Sequence, residues 1–378
     1  MTRLKVALMH FCFEDYTIEL ANSLYDLVDL TLIQPQKVAA YCRSSLDPRI
    51  ETIAFDKPRI RDPRNFAAMS AMIQTIRKLQ PDVLHVQETN DPWYDLTLFF
   101  NRMPPLVTTI HDVFRHPGDR QNIFGADYTK RIAFHRSDRS IVHARELQQA
   151  LSQQFRVPSQ RIHVLPHGEL GSLYRRRATA APGTEPLGNS IEREPHTLLF
   201  FGRIWPYKGL KYLLAAMPLI AAKFPEVKLI IAGKGENFEQ YFPDGIDRDQ
   251  IEIINDFIPP DRVAALFQRS TIAVLPYIES SQSGVAALAY GMGTLVVASA
   301  IGGLTELIKP EQDGLLVPPG NVESLAAAII RLLGDKQLQH QLQAAAFERC
   351  QQDLNWHHIA VQTVEVYHQA IASSLSPV

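Results

Sequence analysis

The sequence predicts an α/β protein made of two doubly wound, Rossmann-like domains. Three observations carry this expectation. Apolar runs of strand length alternate with helix-length segments. The alternation stops near residue 175 and restarts after 195. The chain has 378 residues, which suits two domains at about 100–200 residues each.

In the first half the strand candidates are Leu4 to Met9, Asp82 to Val86, Leu106 to Ile110, Ser140 to His143 and His163 to Pro166. Between them lie segments with helical spacing, such as Tyr16 to Leu27 and Asn65 to Leu79. Continuous apolar runs separated by amphipathic helices belong to a parallel sheet covered on both faces. The second half repeats the pattern with Thr197 to Gly202, Lys228 to Gly233, Ile251 to Ile254, Thr271 to Tyr277 and Thr294 to Ser299. The stretch 175–195 is rich in Ala, Pro, Gly and charge without periodicity, and reads as a linker. The expected organisation is therefore a first domain over 1–174, the linker, a second domain over 196–355, and a last amphipathic helix within 356–378. Two such domains would face each other across a cleft, with ligands at the carboxyl ends of the strands.

Composition narrows the function classes. Hydrophobic residues make up 46% and charged residues 21%, ordinary for a folded globular chain. The net charge of −2 divides unevenly. Through residue 178 there are 24 Lys+Arg against 19 Asp+Glu, a balance of +5, and the remainder has 14 against 21, a balance of −7. A positive first half suits an anionic partner or an acidic membrane surface. Lys57, Arg59, Arg61 and Arg64 form its most evident cluster, with Asp56 and Asp62 among them. No basic run is interleaved with aromatics, which argues against nucleic acid. Cys12, Cys42 and Cys350 are too few and too scattered for a disulfide framework or a metal site, and fit a reducing, cytoplasmic setting. The N-terminus reads as a first strand rather than a signal peptide, and no apolar stretch is long enough to span a membrane.

The strongest local signal is Phe200 to Leu210, FFGRIWPYKGL. A buried strand ends at Gly202, Arg203 follows, and Lys208-Gly209 opens the next helix. Two cations and unpaired N–H groups at one strand-to-helix corner suit a diphosphate. An ordinary solvated loop is the competing reading of these residues alone.

This segment resembles the G-R-x-x-x-x-K-G signature of the retaining family 4 glycosyltransferases, which have the GT-B fold. Other pieces agree in the same order: Ile231 to Glu236, Ile301 to Glu306, Asp313 to Pro318, Thr109-Ile110-His111-Asp112, Asp138 to Val142, and Val164 to Gly168. The resemblance covers nearly the whole chain. It implies transfer of a sugar from a nucleotide-diphosphate donor, with retention and without a cofactor. It implies that Arg203 and Lys208 neutralise the diphosphate beside Gly202 and Gly233, with the helix start at Gly284 and Val285 holding the same phosphates. Glu306 would also bind donor, and His111 would contact the donor sugar. It places Trp356 and Tyr367 on a final helix that returns to the first domain.

The chain also departs from the family. Ser280 and Leu288 occupy the places of its paired glutamates, and the loop reads Ser280-Ser281-Gln282-Ser283-Gly284-Val285. This resembles a sub-group with S-Q-S-G-V at that point. Ser281, Gln282 and Ser283 would serve as neutral donors and acceptors. Leu288 leaves the ribose without its usual carboxylate. After the first strand, His10 to Tyr16 replaces the family's glycine turn. Glu14 or Asp15 would meet an acceptor hydroxyl there, or simply favour the helix N-terminus.

Asp247-Arg248-Asp249 lies in a polar loop and is not expected to bind metal, and adjacent His357 and His358 point to different sides of a helix. The leading expectation is a glycosyltransferase that binds a nucleotide-sugar and an unidentified acceptor, with peripheral membrane contact as a further partner. A nucleotide-sugar epimerase or phosphorylase on the same architecture, and a binding protein with a decayed site, are the rivals.

Overall fold

The computed structural model describes residues 3–114, 126–180, 193–243 and 246–375. The chain divides into two compact units. One comprises Met1–Val113, Arg120–Gly168 and Trp356–Val378, and the other Phe114–Asp119 and Glu169–Asn355.

The first unit runs β1 (Lys5–Met9), α1 (Glu14–Leu24), β2 (Asp29–Pro35), α2 (Gln36–Arg43), β3 (Glu51–Phe55), α3 (Asn65–Leu79), β4 (Val83–Gln87), α4 (Pro92–Phe100), β5 (Leu106–Ile110), α5 (Ala126–Arg136), β6 (Arg139–Val142), α6 (Arg145–Phe155) and β7 (Ile162–Val164). Its seven strands lie in the order β3-β2-β1-β4-β5-β6-β7, every pair parallel. In this unit the two strands absent from the sequence reading are β2 and β3. β3 is an edge strand with mostly exposed side chains, so it carries no apolar run.

The second unit runs α7 (Gly171–Ala180), β8 (Thr197–Phe201), α8 (Leu210–Ala221), β9 (Lys228–Ala232), β10 (Ile251–Ile254), α9 (Pro260–Arg269), β11 (Ile272–Leu275), α10 (Gly284–Gly291), β12 (Leu295–Ser299), α11 (Leu304–Leu307), β13 (Leu315–Val317), α12 (Val322–Gly334) and α13 (Lys336–Gln351). Its parallel sheet has the order β10-β9-β8-β11-β12-β13. Residues 175–180, read as the start of a linker, continue α7. Gly171 permits this, because its Cα lies against the Gly291 backbone, where a β-carbon would come within 2.2 Å of that carbonyl carbon. The rest of the expected linker, 181–192, lies outside the described residues.

Helix starts follow their sequence signals. Asp91 caps α4, its carboxylate accepting from the N–H groups of Trp93 and Tyr94, with Pro92 at the first helical position. Asn321 and Asp335 cap α12 and α13 in the same way.

The last helix, α14 (Trp356–Leu375), belongs to the first unit and packs on α1. Tyr367, fully buried, shares a hydrogen bond of 2.7 Å between its hydroxyl and His85 Nδ1. His85 Nε2 lies 2.8 Å from Thr109 Oγ1. Burial holds the His85 pKa down at about 3, so the ring is neutral. Tyr367→Phe leaves that buried imidazole nitrogen without a partner. The expected cost is about 1–3 kcal/mol, read from the midpoint of urea unfolding.

Candidate functional site

In the second unit the candidate residues gather at the carboxyl edge of the sheet, around the central strands β8, β9 and β11. β8 and β9 do not separate at their ends. Gly202 N donates to Ala232 O at 2.9 Å, Ile204 N to Lys234 O at 3.2 Å, and Glu236 N to Ile204 O at 3.0 Å. This close run requires glycine at 233, where φ is +149° and a β-carbon would lie 1.8 Å from the Gly202 carbonyl oxygen. The backbone thus carries Arg203 out at the strand edge, exposed.

A short turn, Pro206–Lys208, then leads into α8 through Gly209 at φ +70°. A β-carbon at 209 would meet the Pro276 carbonyl oxygen at 1.8 Å, and Ile278 N donates to Tyr207 O at 2.9 Å. These contacts fasten the turn to the segment after β11. The Lys208 ammonium sits 3.7 Å from the centre of the Tyr277 ring and 5.1 Å from that of Tyr207. Both rings are buried, and burial pushes the Tyr277 phenol pKa up. The neutral ring faces hold the cation by their quadrupole.

Ser283 caps α10, accepting from Ala286 N at 3.3 Å. The Gly202 α-carbon lies beside this helix start, with Val285 Cγ2 at 3.7 Å from the position of a β-carbon there. Gln282 is half-buried, and its Oε1 has no hydrogen-bond partner among the described residues. Leu288 is buried one turn into α10 and offers the site no polar group. Glu306 is exposed in α11. Asp247-Arg248-Asp249 forms a turn: Asp247 accepts from Asp249 N at 3.0 Å, and Arg248 pairs with Glu239 at 2.8 Å. Among the described residues no group of three His, Cys, Asp or Glu is placed to hold a metal ion.

In the first unit His111 follows β5 and is wholly buried. Phe13 stacks on its ring at 3.8 Å and 15°, and Tyr16 meets it edge-on at 4.9 Å. Phe13 has φ +63°, uncommon for a bulky residue. His111 Nε2 lies 2.9 Å from Gln87 Oε1, and its Nδ1 lies 3.2 Å from His143 Nε2. His143 Nδ1 faces the Leu165 carbonyl oxygen at 3.1 Å.

Burial lowers the pKa of all three neighbouring histidines, His143 to about 3, His167 to about 4, and His111 well below its usual value. They are neutral, so each ring carries one proton and the chain of bonds sets where. The Leu165 carbonyl requires a proton on His143 Nδ1. His143 Nε2 then accepts, which puts the His111 proton on Nδ1 and leaves Nε2 as an acceptor. The consistent partner is the Gln87 amide N–H with its oxygen and nitrogen exchanged, which also accounts for the unpartnered Gln87 Nε2.

Sequence reasoning singled out His111 but not the groups that hold it. Glu88 is chief among these. Its Oε2 accepts from His111 N at 2.8 Å and Asp112 N at 2.9 Å. Its Oε1 pairs with Lys130, which also donates to the Asp112 carbonyl. Burial raises the Glu88 pKa while Lys130 opposes the rise. A water-sized cavity beside the pair is lined by Tyr94, Asp95 and Thr108, and burial pushes Asp95 up to about 7. The available signal was the polar Gln87-Glu88 pair closing the apolar run of β4. Of the two acidic residues proposed to meet an acceptor, Asp15 accepts from the Tyr41 hydroxyl at 2.8 Å, and Glu14 stands half-buried in the first turn of α1.

The tautomer assignment is directly measurable. Long-range 1H–15N spectra at pH 5 are expected to show His111 and His143 as neutral rings protonated at Nδ1.

Comparisons with known proteins bear on the domains and the fold. Residues 5–144 match the family model of glycosyl transferase 4-like domains, and residues 195–335 that of glycosyl transferases group 1. An uncharacterised glycosyltransferase of Methanocaldococcus jannaschii is 32% identical over 186 residues, 48% of this chain and 47% of that protein. Phosphatidyl-myo-inositol mannosyltransferase of Mycolicibacterium smegmatis is 30% identical over 184 residues, with the same coverage of 48% and 47%. The chain thus spans about half the length of these two relatives. Glycogen synthase of Mycobacterium tuberculosis is 27% identical over 312 residues, 80% of this chain and 72% of that one. Among solved structures, sucrose-phosphate synthase from Thermosynechococcus elongatus superposes with a TM-score of 0.70 at 20% identity, covering 98% of this chain and 100% of that one. HepE from Anabaena in complex with UDP gives 0.70 at 18% identity, covering 97% and 100%. These likenesses show the GT-B fold. Each half of the chain thus matches a glycosyltransferase domain model, residues 5–144 that of glycosyl transferase 4-like domains and residues 195–335 that of glycosyl transferases group 1.

Proposed function

We propose that the protein transfers a sugar from a nucleotide-diphosphate donor to an acceptor hydroxyl, with retention, as a member of the S-Q-S-G-V sub-group of family 4. The observation that carries this reading is the second unit's corner. Arg203 at the end of β8, Lys208 held over Tyr277, and the start of α10 lie around Gly202 within the segment that matches glycosyl transferases group 1.

In this reading the donor diphosphate lies along the N–H groups of Gly284 and Val285, which have no partner inside a helix. Arg203 contributes a bidentate contact and Lys208 a point charge. Both stabilise the charge that develops as the nucleotide leaves, so the protein itself supplies the electrostatic part of catalysis. Ser281, Gln282 and Ser283 take the place of the usual carboxylate toward the sugar, Gln282 Oε1 as a ready acceptor. Leu288 moves ribose recognition elsewhere, and Glu306 is the carboxylate proposed for donor binding. His111 is the residue proposed to orient the sugar. Its imidazole lies under Phe13, so a contact through the ring requires Phe13 to turn aside. Glu14 and Asp15 are proposed on the acceptor side. HepE, solved with UDP, makes a uridine nucleotide the first donor to try. Peripheral contact of the first unit with an anionic membrane completes the reading. No helix of the described residues is long and apolar enough to cross one.

The test is nucleotide release with UDP-, GDP-, ADP- and dTDP-sugars, preceded by a thermal-shift screen, because a ligand that binds the native state raises the unfolding temperature. Lys208→Ala is expected to lower kcat by about 10²–10³, corresponding to about 2.7–4 kcal/mol of transition-state stabilisation. Wild-type turnover in that variant would remove Lys208 from the mechanism. Activity is also expected to persist in excess chelator. Loss restored by Mn²⁺ or Mg²⁺ counts against leaving-group stabilisation by Arg203 and Lys208 alone.

A further inference from the structure

Helices α3, α4 and α5 end together at the amino edge of the first sheet. α4 closes there on Phe99 and Phe100, which are 65% and 77% exposed, with their rings in edge contact at 5.2 Å. Leu96, one turn earlier, is 41% exposed, and positions 96, 99 and 100 share one side of a helix. Two arginines converge on the residue that follows. Arg77, in the last turn of α3, donates to Asn101 Oδ1 at 3.2 Å. Arg136, in the last turn of α5, donates to the Asn101 carbonyl at 3.2 Å. Arg102 comes next and is exposed.

The acidic residues nearby only partly offset this edge. Between residues 65 and 102, Glu88, Asp91 and Asp95 are buried. Asp82 and Asp138, which accept from Lys5 N and Leu106 N, keep their charges at the edge, two against the three of Arg77, Arg102 and Arg136. Cations in a last helical turn have a reason of their own, since they complement the helix dipole. Two solvent-facing phenylalanines have none. The cluster singled out in the sequence is a weaker candidate for a surface contact. Lys57 is half-buried in an ion pair with Asp91 at 2.7 Å, and Arg64 is paired with Asp62 at 2.6 Å.

We propose that this patch docks the first unit on an anionic phospholipid bilayer, Phe99 and Phe100 entering the headgroup layer and Arg77, Arg102 and Arg136 meeting lipid phosphates. It gives the membrane contact of the reading above a definite place. A second copy of the chain fits the patch poorly. A symmetric pair would set three guanidinium groups of each copy against those of the other, whereas an acidic bilayer answers both the charge and the apolar rings. The geometry also sets the orientation. His111 follows the other end of β5, five residues and roughly 17 Å away along the strand. Docking by the amino edge turns the carboxyl edge, with His111 and Glu88, toward water.

Flotation of the full chain with vesicles tests this. Wild-type protein is expected to float with phosphatidylglycerol-containing vesicles at low salt, to be released at high salt, and to ignore pure phosphatidylcholine. The double variant Arg77→Glu/Arg136→Glu is expected to bind at least about 25-fold more weakly, from about fivefold per cation. Phe99→Ser/Phe100→Ser is expected to bind at least about tenfold more weakly, with an unchanged circular dichroism spectrum. Absence of flotation at low salt overturns the proposal, as does undiminished binding by the phenylalanine variant. Vesicle-free self-association that the same substitutions abolish overturns it in favour of a second copy. Binding is read without turnover, so its failure leaves the transferase reading intact, and wild-type turnover in Lys208→Ala leaves the docking face intact.

Discussion

The carbonyl oxygen of Gly202 occupies the space that a β-carbon at 233 would need, and this contact organises the second unit's corner. Because β8 and β9 stay hydrogen-bonded past their formal ends, the direction in which Arg203 leaves the sheet is fixed by backbone rather than by side-chain packing. The Gly209 contact with Pro276 does the same for Lys208, binding the start of α8 to the segment after β11. If the proposed donor binds here, the backbone that carries its two cations is set before it arrives, and less ordering remains to be done on binding.

The first unit solves a different problem. It buries imidazoles and a carboxylate in one neighbourhood, satisfying the rings by hydrogen bonds and the carboxylate by Lys130 and two backbone N–H groups. The histidines stay neutral because burial disfavours their cationic forms. Neutral rings can be ordered by tautomer, and here one backbone carbonyl, that of Leu165, is enough to order two of them. Glu88 then ties the backbone of His111 and Asp112, so that the position of His111 depends on its main chain as much as on its ring.

Much of this was legible in the sequence, and the remainder was hidden for identifiable reasons. β5 and α3 occupy the spans that their apolar patterns marked, because buried parallel strands and amphipathic helices write their periodicity into composition. β3 left no such mark, since an edge strand with exposed side chains needs no apolar run. The corner at Gly202, Arg203 and Lys208 could be singled out because a glycine and two cations follow the end of an apolar run, and its use for a phosphate stays a proposal. The hold on His111 was not, because Glu88, Lys130 and His143 come from separate elements that only the parallel order of β4, β5 and β6 brings together. Lys57 shows the same limit. Its sequence neighbours suggested Asp56 or Asp62, but its partner is Asp91, the cap of the helix that follows β4.

The return of α14 to the first unit has a consequence for how the chain is made. During synthesis the first sheet emerges early, but the helix that covers α1 and supplies the Tyr367 hydroxyl to His85 emerges only after the second unit. Residues 169–355 can therefore finish folding while the earlier unit still exposes the surface that awaits residues 356–375. Domains usually complete in the order in which they leave the ribosome; here the first unit is completed after the second. A chain that stalls before residue 356 would present a finished second unit joined to an open first one.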